Sequence, residues 1–196
     1  MENNKKNIVV YVIVAVIVVA VVVYALMSGV GTKPTVEQGV VGDQTSQGTV
    51  TEKGVVAAPG TSPISTSTGE VVTPEGKPVQ NDAVPGTPEA PQQSNPTSPK
   101  ALPAAAIKLN VSSSGYSPNQ FTVKAGSPVT LSVTATDNQT HVFAFNDASL
   151  SAVAIGVAPG ETRAITFSAP AKGEYSFMCN VPGHAERGET GKMIVN

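Results

Sequence analysis

The stretch YSFMCNVPGH, at positions 175–184, decides how this sequence folds. It begins with alternating aromatic and polar residues, the two-residue period of a strand with one buried face. Tyr175, Phe177 and Cys179 therefore share one face, and we expect the Cys179 sulfur to point inward at the end of a β-sandwich. The Pro-Gly pair that follows marks a tight turn and brings His184 back toward Cys179.

The chain has one Cys and two His, and these three residues fit a single metal site. His141 stands at the start of a predicted strand, and Cys179 and His184 flank the tight turn. A thiolate with two imidazoles and a weak fourth ligand is the donor set of a mononuclear blue-copper site. The pattern therefore predicts copper held by His141, Cys179 and His184. Zinc, which also accepts Cys, His and carboxylate ligands, stays open, as does a Cys–His nucleophilic pair.

The 175–184 stretch belongs to a longer region, residues 107–196, in which short runs of alternating apolar and polar residues are separated by turn residues. This part contains all five Phe of the chain and is the only part that we expect to bury a core. About seven short strands without an amphipathic helix predict an all-β sandwich. Residues 147–158 are the least regular, and we expect a helical turn there. The predicted strands cover 107–111, 121–123, 129–133, 142–145, 163–167, 175–179 and 192–195.

Residues 107–196 resemble the cupredoxin family. The resemblance implies a Greek-key β-sandwich, one mononuclear type 1 copper ion, one-electron transfer and no enzymatic activity. It also implies that the electron passes through the edge of His184. The motifs that carry it are YSPN (116–119), VKAG (123–126), TH (140–141), PGET (159–162), YSFMC (175–179), PGH (182–184) and GKMIVN (191–196).

Two positions depart from the family pattern. Members often have a weak axial Met after the second His, whereas alignment through the last strand puts Glu189 in that place and leaves Met193 to pack. A carboxylate is a harder donor than a thioether, so we expect a lower reduction potential, and a pH-dependent one if burial raises the pKa of Glu189. Alternatively, Glu189 points to solvent and copper is three-coordinate. The second departure is Val142, which replaces the Asn that often follows the first His.

Residues 1–30 predict a short cytoplasmic tip and a membrane anchor. Residues 8–27 carry no charge, and 20 residues of helix match the thickness of a bilayer. Lys5 and Lys6 precede the run, so the positive-inside rule puts the N-terminus in the cytoplasm and the rest of the chain outside. A cleaved signal peptide is the alternative, although its apolar core is normally shorter.

Residues 31–106 are rich in Pro, Thr, Ser and Gly and predict a flexible, disordered linker. The chain has a net charge of −2 and no cluster of basic residues, so we expect no nucleic-acid partner. A single Cys excludes an intramolecular disulfide.

Together these features predict a single-pass protein of the cell membrane with an extracytoplasmic cupredoxin domain. We expect it to carry electrons between a transient redox donor and acceptor, with no small-molecule substrate. The alternative function is a copper-binding carrier or buffer, and a zinc-bound or metal-free structural module is a third possibility.

Overall fold

A computed structural model describes residues 56–196 of the chain. The predicted membrane helix at 8–27 and the first part of the predicted linker lie outside these residues. Within residues 56–196, no helix has the length and the apolar character that crossing a membrane requires.

The described residues form two β-sheets, so the predicted all-β class is confirmed. The strands are β1 (Ile107–Ser112), β2 (Gly115–Ser117), β3 (Gln120–Val123), β4 (Pro128–Ala135), β5 (His141–Phe145), β6 (Ala154–Val157), β7 (Thr162–Ser168), β8 (Gly173–Cys179) and β9 (Thr190–Val195). One sheet has the order β2-β1-β4-β7, and the other has the order β3-β9-β8-β5-β6. The β1–β4 and β3–β9 pairs are parallel, and the remaining pairs are antiparallel.

Two short strands were not predicted from the sequence. Strand β2 has three residues beside a Pro, and β6 is the Ala-Ile-Gly-Val run within the stretch where we expected only a helical turn. Gly and Ala are depleted in strands, so neither run carries a strong strand signal. The expected helical turn is also present, as a 3₁₀ turn at Ala148–Leu150, and a second 3₁₀ turn spans Pro99–Ala101.

Aromatic rings fill the space between the sheets. The ring of Phe177 lies 4.8 Å from that of Phe143 and 5.2 Å from that of Tyr116, measured between centroids. A side chain at Gly191 would overlap the Phe177 ring and the Asn119 carbonyl, so only glycine fits there. Met193 is fully buried in this core, as its predicted packing role requires.

The inward face of β8 carries the three residues that the alternation of the sequence predicts. Phe177 and Cys179 are buried, and Tyr175 is half-buried and packs against the same core. The Tyr175 hydroxyl donates to the carbonyl oxygen of Ala171 at 2.8 Å. Tyr175 lies near the start of β8, away from the metal ligands.

The prediction of a flexible linker is wrong for residues 56–106, which we call the N-terminal strap. The backbone N–H groups of Ser94 and Thr97 donate to carbonyl oxygens of β7, each at 2.8 Å. Gln93 forms a bridge with Ile165 of β7, and its side chain accepts from the N–H of Gly156 in β6 at 3.1 Å. The strap therefore covers the neighbouring edges of β7 and β6.

The outer face of β4 and β7 explains why the strap is ordered. Thr130, Ala164 and Thr166 project from this face and are almost completely buried. Ala164 packs with Ala58 and Leu102 of the strap, and the Thr130 hydroxyl donates to the carbonyl oxygen of Val56 at 2.9 Å. The strap thus gains apolar burial and hydrogen bonds that the sequence analysis had not attributed to it.

Candidate metal centre

Three adjacent strands bring the predicted ligands to one end of the sandwich. His141 is the first residue of β5 and Cys179 is the last residue of β8, its antiparallel neighbour. Glu189 immediately precedes β9, which pairs with the other side of β8. His184 lies in the loop between β8 and β9, where its N–H donates to the Val181 carbonyl oxygen at 3.0 Å.

Two glycines shape the loop that carries His184 and Glu189. Gly183 has φ of +82° and Gly188 has φ of +101°, a region in which residues with a side chain are strained. The N–H of Glu189 donates to the His184 carbonyl oxygen at 3.2 Å, and the N–H of Cys179 donates to the Glu189 carbonyl oxygen at 2.9 Å. The backbone therefore fixes the three residues relative to one another.

The side chains of His141, Cys179, His184 and Glu189 converge. One ligand atom from each lies within 4.8 Å of the others. The Cys179 sulfur is 3.4 Å from Nδ1 of His184 and 4.0 Å from Nδ1 of His141. Oε2 of Glu189 is 2.7 Å from Nδ1 of His141 and 3.1 Å from Nδ1 of His184. These donor atoms surround one point, as the ligands of a mononuclear metal site do.

The site is closed to water on most sides. His141 and Glu189 are fully buried, Cys179 is 1% exposed, and His184 is 8% exposed. The burial of Glu189 contradicts the alternative in which its side chain points to solvent. His184 is the ligand closest to the surface.

Asp137 orients His141 from outside the ligand set. Its Oδ1 lies 2.9 Å from Nε2 of His141, and the carboxylate also accepts the N–H groups of Ser113 and Gln139. Burial opposes the charge of Asp137, but the hydrogen bonds from His141 and the two backbone groups outweigh it, so the pKa falls to about 2. A carboxylate that accepts from Nε2 leaves Nδ1 of a metal-binding His to face the metal. Sequence analysis missed Asp137, although it stands one loop before the first His.

The hydrogen-bond partners of Glu189 favour the charged form of its side chain. Burial acts to raise its pKa, but hydrogen bonds from His141 and Arg187 outweigh burial and hold the pKa below its ordinary value. The net shift is therefore opposite to the raised pKa that was the condition for a weakly binding, protonated Glu189. Sequence analysis also missed Arg187, whose Nε donates to Oε1 of Glu189 at 2.8 Å.

The Cys179 sulfur keeps a backbone hydrogen bond despite the departure at Val142. The N–H of Val142 donates to Sγ at 3.3 Å. Burial raises the pKa of the Cys179 thiol, and this N–H acts in the opposite direction by favouring the thiolate. The side chain at position 142 is therefore not needed to hold the donor in place.

The donor set fits a copper ion. A thiolate and two imidazoles are ligands that copper uses in electron-transfer sites, and Glu189 could offer a fourth, harder oxygen. Zinc accepts the same types of ligand, so donor chemistry alone does not separate the two metals.

Comparison with known proteins gives a family for most of the described chain. The model of the cupredoxin-like domain family matches residues 91–195, so the match includes the last part of the strap. None of the curated proteins is similar enough to this chain to count as a match.

Several solved structures are similar to the chain over about half of its length. Auracyanin from Roseiflexus castenholzii is 25% identical, with 47% of this chain and 98% of that one covered and a TM-score of 0.42. Auracyanin A, a blue copper protein from Chloroflexus aurantiacus, is 26% identical, with 46% and 98% covered and a TM-score of 0.39. Amicyanin from Paracoccus versutus is 25% identical, with 52% and 92% covered and a TM-score of 0.40.

Proposed function

The chain belongs to the cupredoxin-like domain family, and from this premise we propose that it is a mononuclear copper protein that carries single electrons between redox partners. The observation that carries the proposal is the convergence of donor atoms from His141, Cys179, His184 and Glu189 in a buried site. We expect no enzymatic activity. Membership of the cupredoxin-like domain family, rather than the donor atoms alone, supports copper over zinc.

The protein's part in this function is to hold the ligands still. A bound copper ion would supply one-electron chemistry between its Cu(I) and Cu(II) states. Asp137 holds the His141 ring, the Val142 N–H holds the Cys179 sulfur, and Arg187 holds Glu189. Ligands that are braced by outer contacts move little, and small rearrangement favours fast electron exchange.

We propose that partners dock at the surface around His184. It is the most exposed of the four ligands, at 8%. Pro182 is exposed and Val181 is half-buried beside it, so the local surface is small and partly apolar. A contact of limited area suits a transient encounter between redox proteins.

We also propose that the domain is held on the extracytoplasmic side of the cell membrane. The support is the uncharged run at 8–27 with Lys5 and Lys6 before it. Expression of the full chain and of a form lacking residues 1–30 tests this, since only the full chain should sediment with membranes. Mass analysis of the purified product distinguishes an uncleaved anchor from a cleaved signal peptide.

Redox cycling of the copper-loaded full chain separates electron transfer from copper delivery. After several cycles of reduction and reoxidation, we expect the copper content and the visible spectrum to be unchanged. Release of the metal on each reduction would instead support the carrier or buffer. Glu189→Met is the informative variant, because a thioether in the fourth position should raise the reduction potential.

A further inference from the structure

Arg187 contacts the fourth ligand from the side away from the other three. Its Nε donates to Oε1 of Glu189 at 2.8 Å, and one terminal nitrogen lies 2.7 Å from the same oxygen. That terminal nitrogen also donates to Oε1 of Gln139 at 2.7 Å. The Arg187 side chain is 35% exposed, whereas that of Glu189 has no exposure. A guanidinium from the surface therefore reaches a fully buried carboxylate.

The two oxygens of Glu189 have different partners. Oε1 faces Arg187, and Oε2 faces Nδ1 of His141 and Nδ1 of His184. A free carboxylate can offer both oxygens to a metal, but an oxygen that accepts a guanidinium hydrogen bond and forms an ion pair with the same group is a poor additional ligand. The arrangement leaves Oε2 as the oxygen available to the site.

We propose that Arg187 is a positioning residue that limits Glu189 to a single metal-directed oxygen and weakens its donation. This inference rests on the proposed copper function and concerns the residue that sets the strength of its fourth ligand. The link from Arg187 to Gln139 also joins the loop after β8 to the loop before β5. Arg187 thus joins the loop that carries His184 and Glu189 to the loop that leads into His141.

The direction of the effect follows from charge. A positive guanidinium beside the site disfavours Cu(II) more than Cu(I), because the oxidised ion carries the larger charge. Withdrawal of electron density from Glu189 acts in the same direction, because a strong carboxylate donor favours Cu(II). Both effects raise the reduction potential, so removal of Arg187 should lower it.

The test compares reduction potentials of the copper-loaded full chain in four forms: wild type, Arg187→Gln, Arg187→Lys and Lys124→Gln. Lys124 is exposed and precedes a turn that contacts Asn196, at the opposite end of the sandwich, so Lys124→Gln is a control for the loss of one positive charge. We expect Arg187→Gln to shift the Cu(II)/Cu(I) equilibrium toward Cu(II) about tenfold, which is about 59 mV for one electron. Arg187→Lys keeps the positive charge but loses the two guanidinium nitrogens that face Glu189. Its shift in reduction potential should therefore be smaller than that of Arg187→Gln.

The same substitution in a Glu189→Gln background separates positioning from a general charge effect. If Arg187 acts through Glu189, Arg187→Gln should shift the potential clearly less in that background than in the wild type, because only the direct effect of the charge on copper remains. An equal shift in both backgrounds, or wild-type behaviour of Arg187→Gln, would overturn the inference. If Arg187→Gln does not hold copper, the same comparison is made with Arg187→Lys in the wild-type and Glu189→Gln backgrounds. Failure of the proposed function would look different, because the wild-type chain itself would then show no reversible copper potential.

Discussion

Two regions of this molecule bury polar side chains for different reasons. Under the strap, the hydroxyls of Thr61, Thr130 and Thr166 form a connected set, with Thr166 lying 2.7 Å from Thr61 and 3.1 Å from Thr130. Thr61 donates to the Ala58 carbonyl oxygen and Thr130 to that of Val56, so this set joins strap to sheet. At the end of the sandwich, the buried polar atoms instead belong to two imidazoles, a thiol and a carboxylate.

The difference shows that the type of buried group, rather than burial itself, indicates function. Each hydroxyl under the strap is neutral and has a partner, so the arrangement serves stability. At the metal centre, Oε2 of Glu189 is shared by His141 and His184, and the Cys179 sulfur lies close to both rings. Two imidazoles, a thiol and a carboxylate whose donor atoms converge are costly to bury unless a cation lies between them. The predictions below test this contrast between the two regions.

The largest effect is expected where a charge replaces a small side chain under the strap. Ala164 has no exposure and packs with Ala58 and Leu102, so Ala164→Lys should lower the free energy of unfolding by about 3 kcal/mol or more. Ala144, half-buried on the outer face of the other sheet, is the matched control, and Ala144→Lys should cost less than about 1 kcal/mol. Denaturant unfolding of both variants is the measurement. Equal costs would show that the strap does not cover Ala164 in solution.

A smaller effect is expected from the hydroxyl set. Thr166→Val removes the group between Thr61 and Thr130 without changing its shape, and should cost about 1–2 kcal/mol of unfolding free energy. The visible spectrum of the copper form should stay unchanged, because the set is separate from the metal ligands. Thr122, exposed on β3, provides the control, and Thr122→Val should change stability by less than about 0.5 kcal/mol. A change in the copper spectrum of Thr166→Val would show that the two regions are coupled.

The smallest effect concerns Asp137, at the border of the metal centre. Its pKa of about 2 lies below the ordinary 3.8, so its carboxylate adds stability above pH 3.8 that is lost as the pH falls toward 2. In the metal-free protein, Asp137→Asn should therefore be less stable than wild type at pH 7. We expect a cost of about 1 kcal/mol or less, because the amide oxygen of Asn can replace Oδ1 as the partner of His141 and Gln139. The difference in unfolding free energy between wild type and Asp137→Asn should disappear as the pH falls from 4 to 2. A gap that persists unchanged at pH 2 would mean that ionisation of Asp137 plays no part.

The sequence allowed the metal centre to be predicted more fully than the strap. His141, Cys179 and His184 are the only residues of their types, and the turn at Pro182 and Gly183 links two of them directly. Asp137 and Arg187 escaped although each lies within four residues of the ligand that it contacts. The conformation of an irregular loop decides whether such neighbours meet, and no periodic pattern in the sequence gives that conformation.

The strap was missed because its sequence was judged alone. Pro and Gly interrupt regular structure, but they do not prevent a segment from packing along a sheet whose edge accepts its N–H groups. A signal was present in the sheet instead: Thr130, Ser132 and Thr166 give the outer face small polar residues where an exposed face would carry charges. Positions 128–135 are buried on both faces except for half-buried Thr134, which a strand open to water on one side would not be. The small polar residues on the outer face of β4 and β7 thus indicate that another segment of the chain, here the strap, covers this face.

The most direct test of the copper function is the visible absorption of the full chain loaded with Cu(II), with Cys179→Ser and Glu189→Met beside it. Wild type should show an intense thiolate-to-copper band, which Cys179→Ser should abolish. Glu189→Met should keep the band but shift it, because the fourth ligand changes from oxygen to sulfur. A wild-type spectrum without the band, or one that Cys179→Ser leaves intact, would contradict a copper centre built on the Cys179 thiolate.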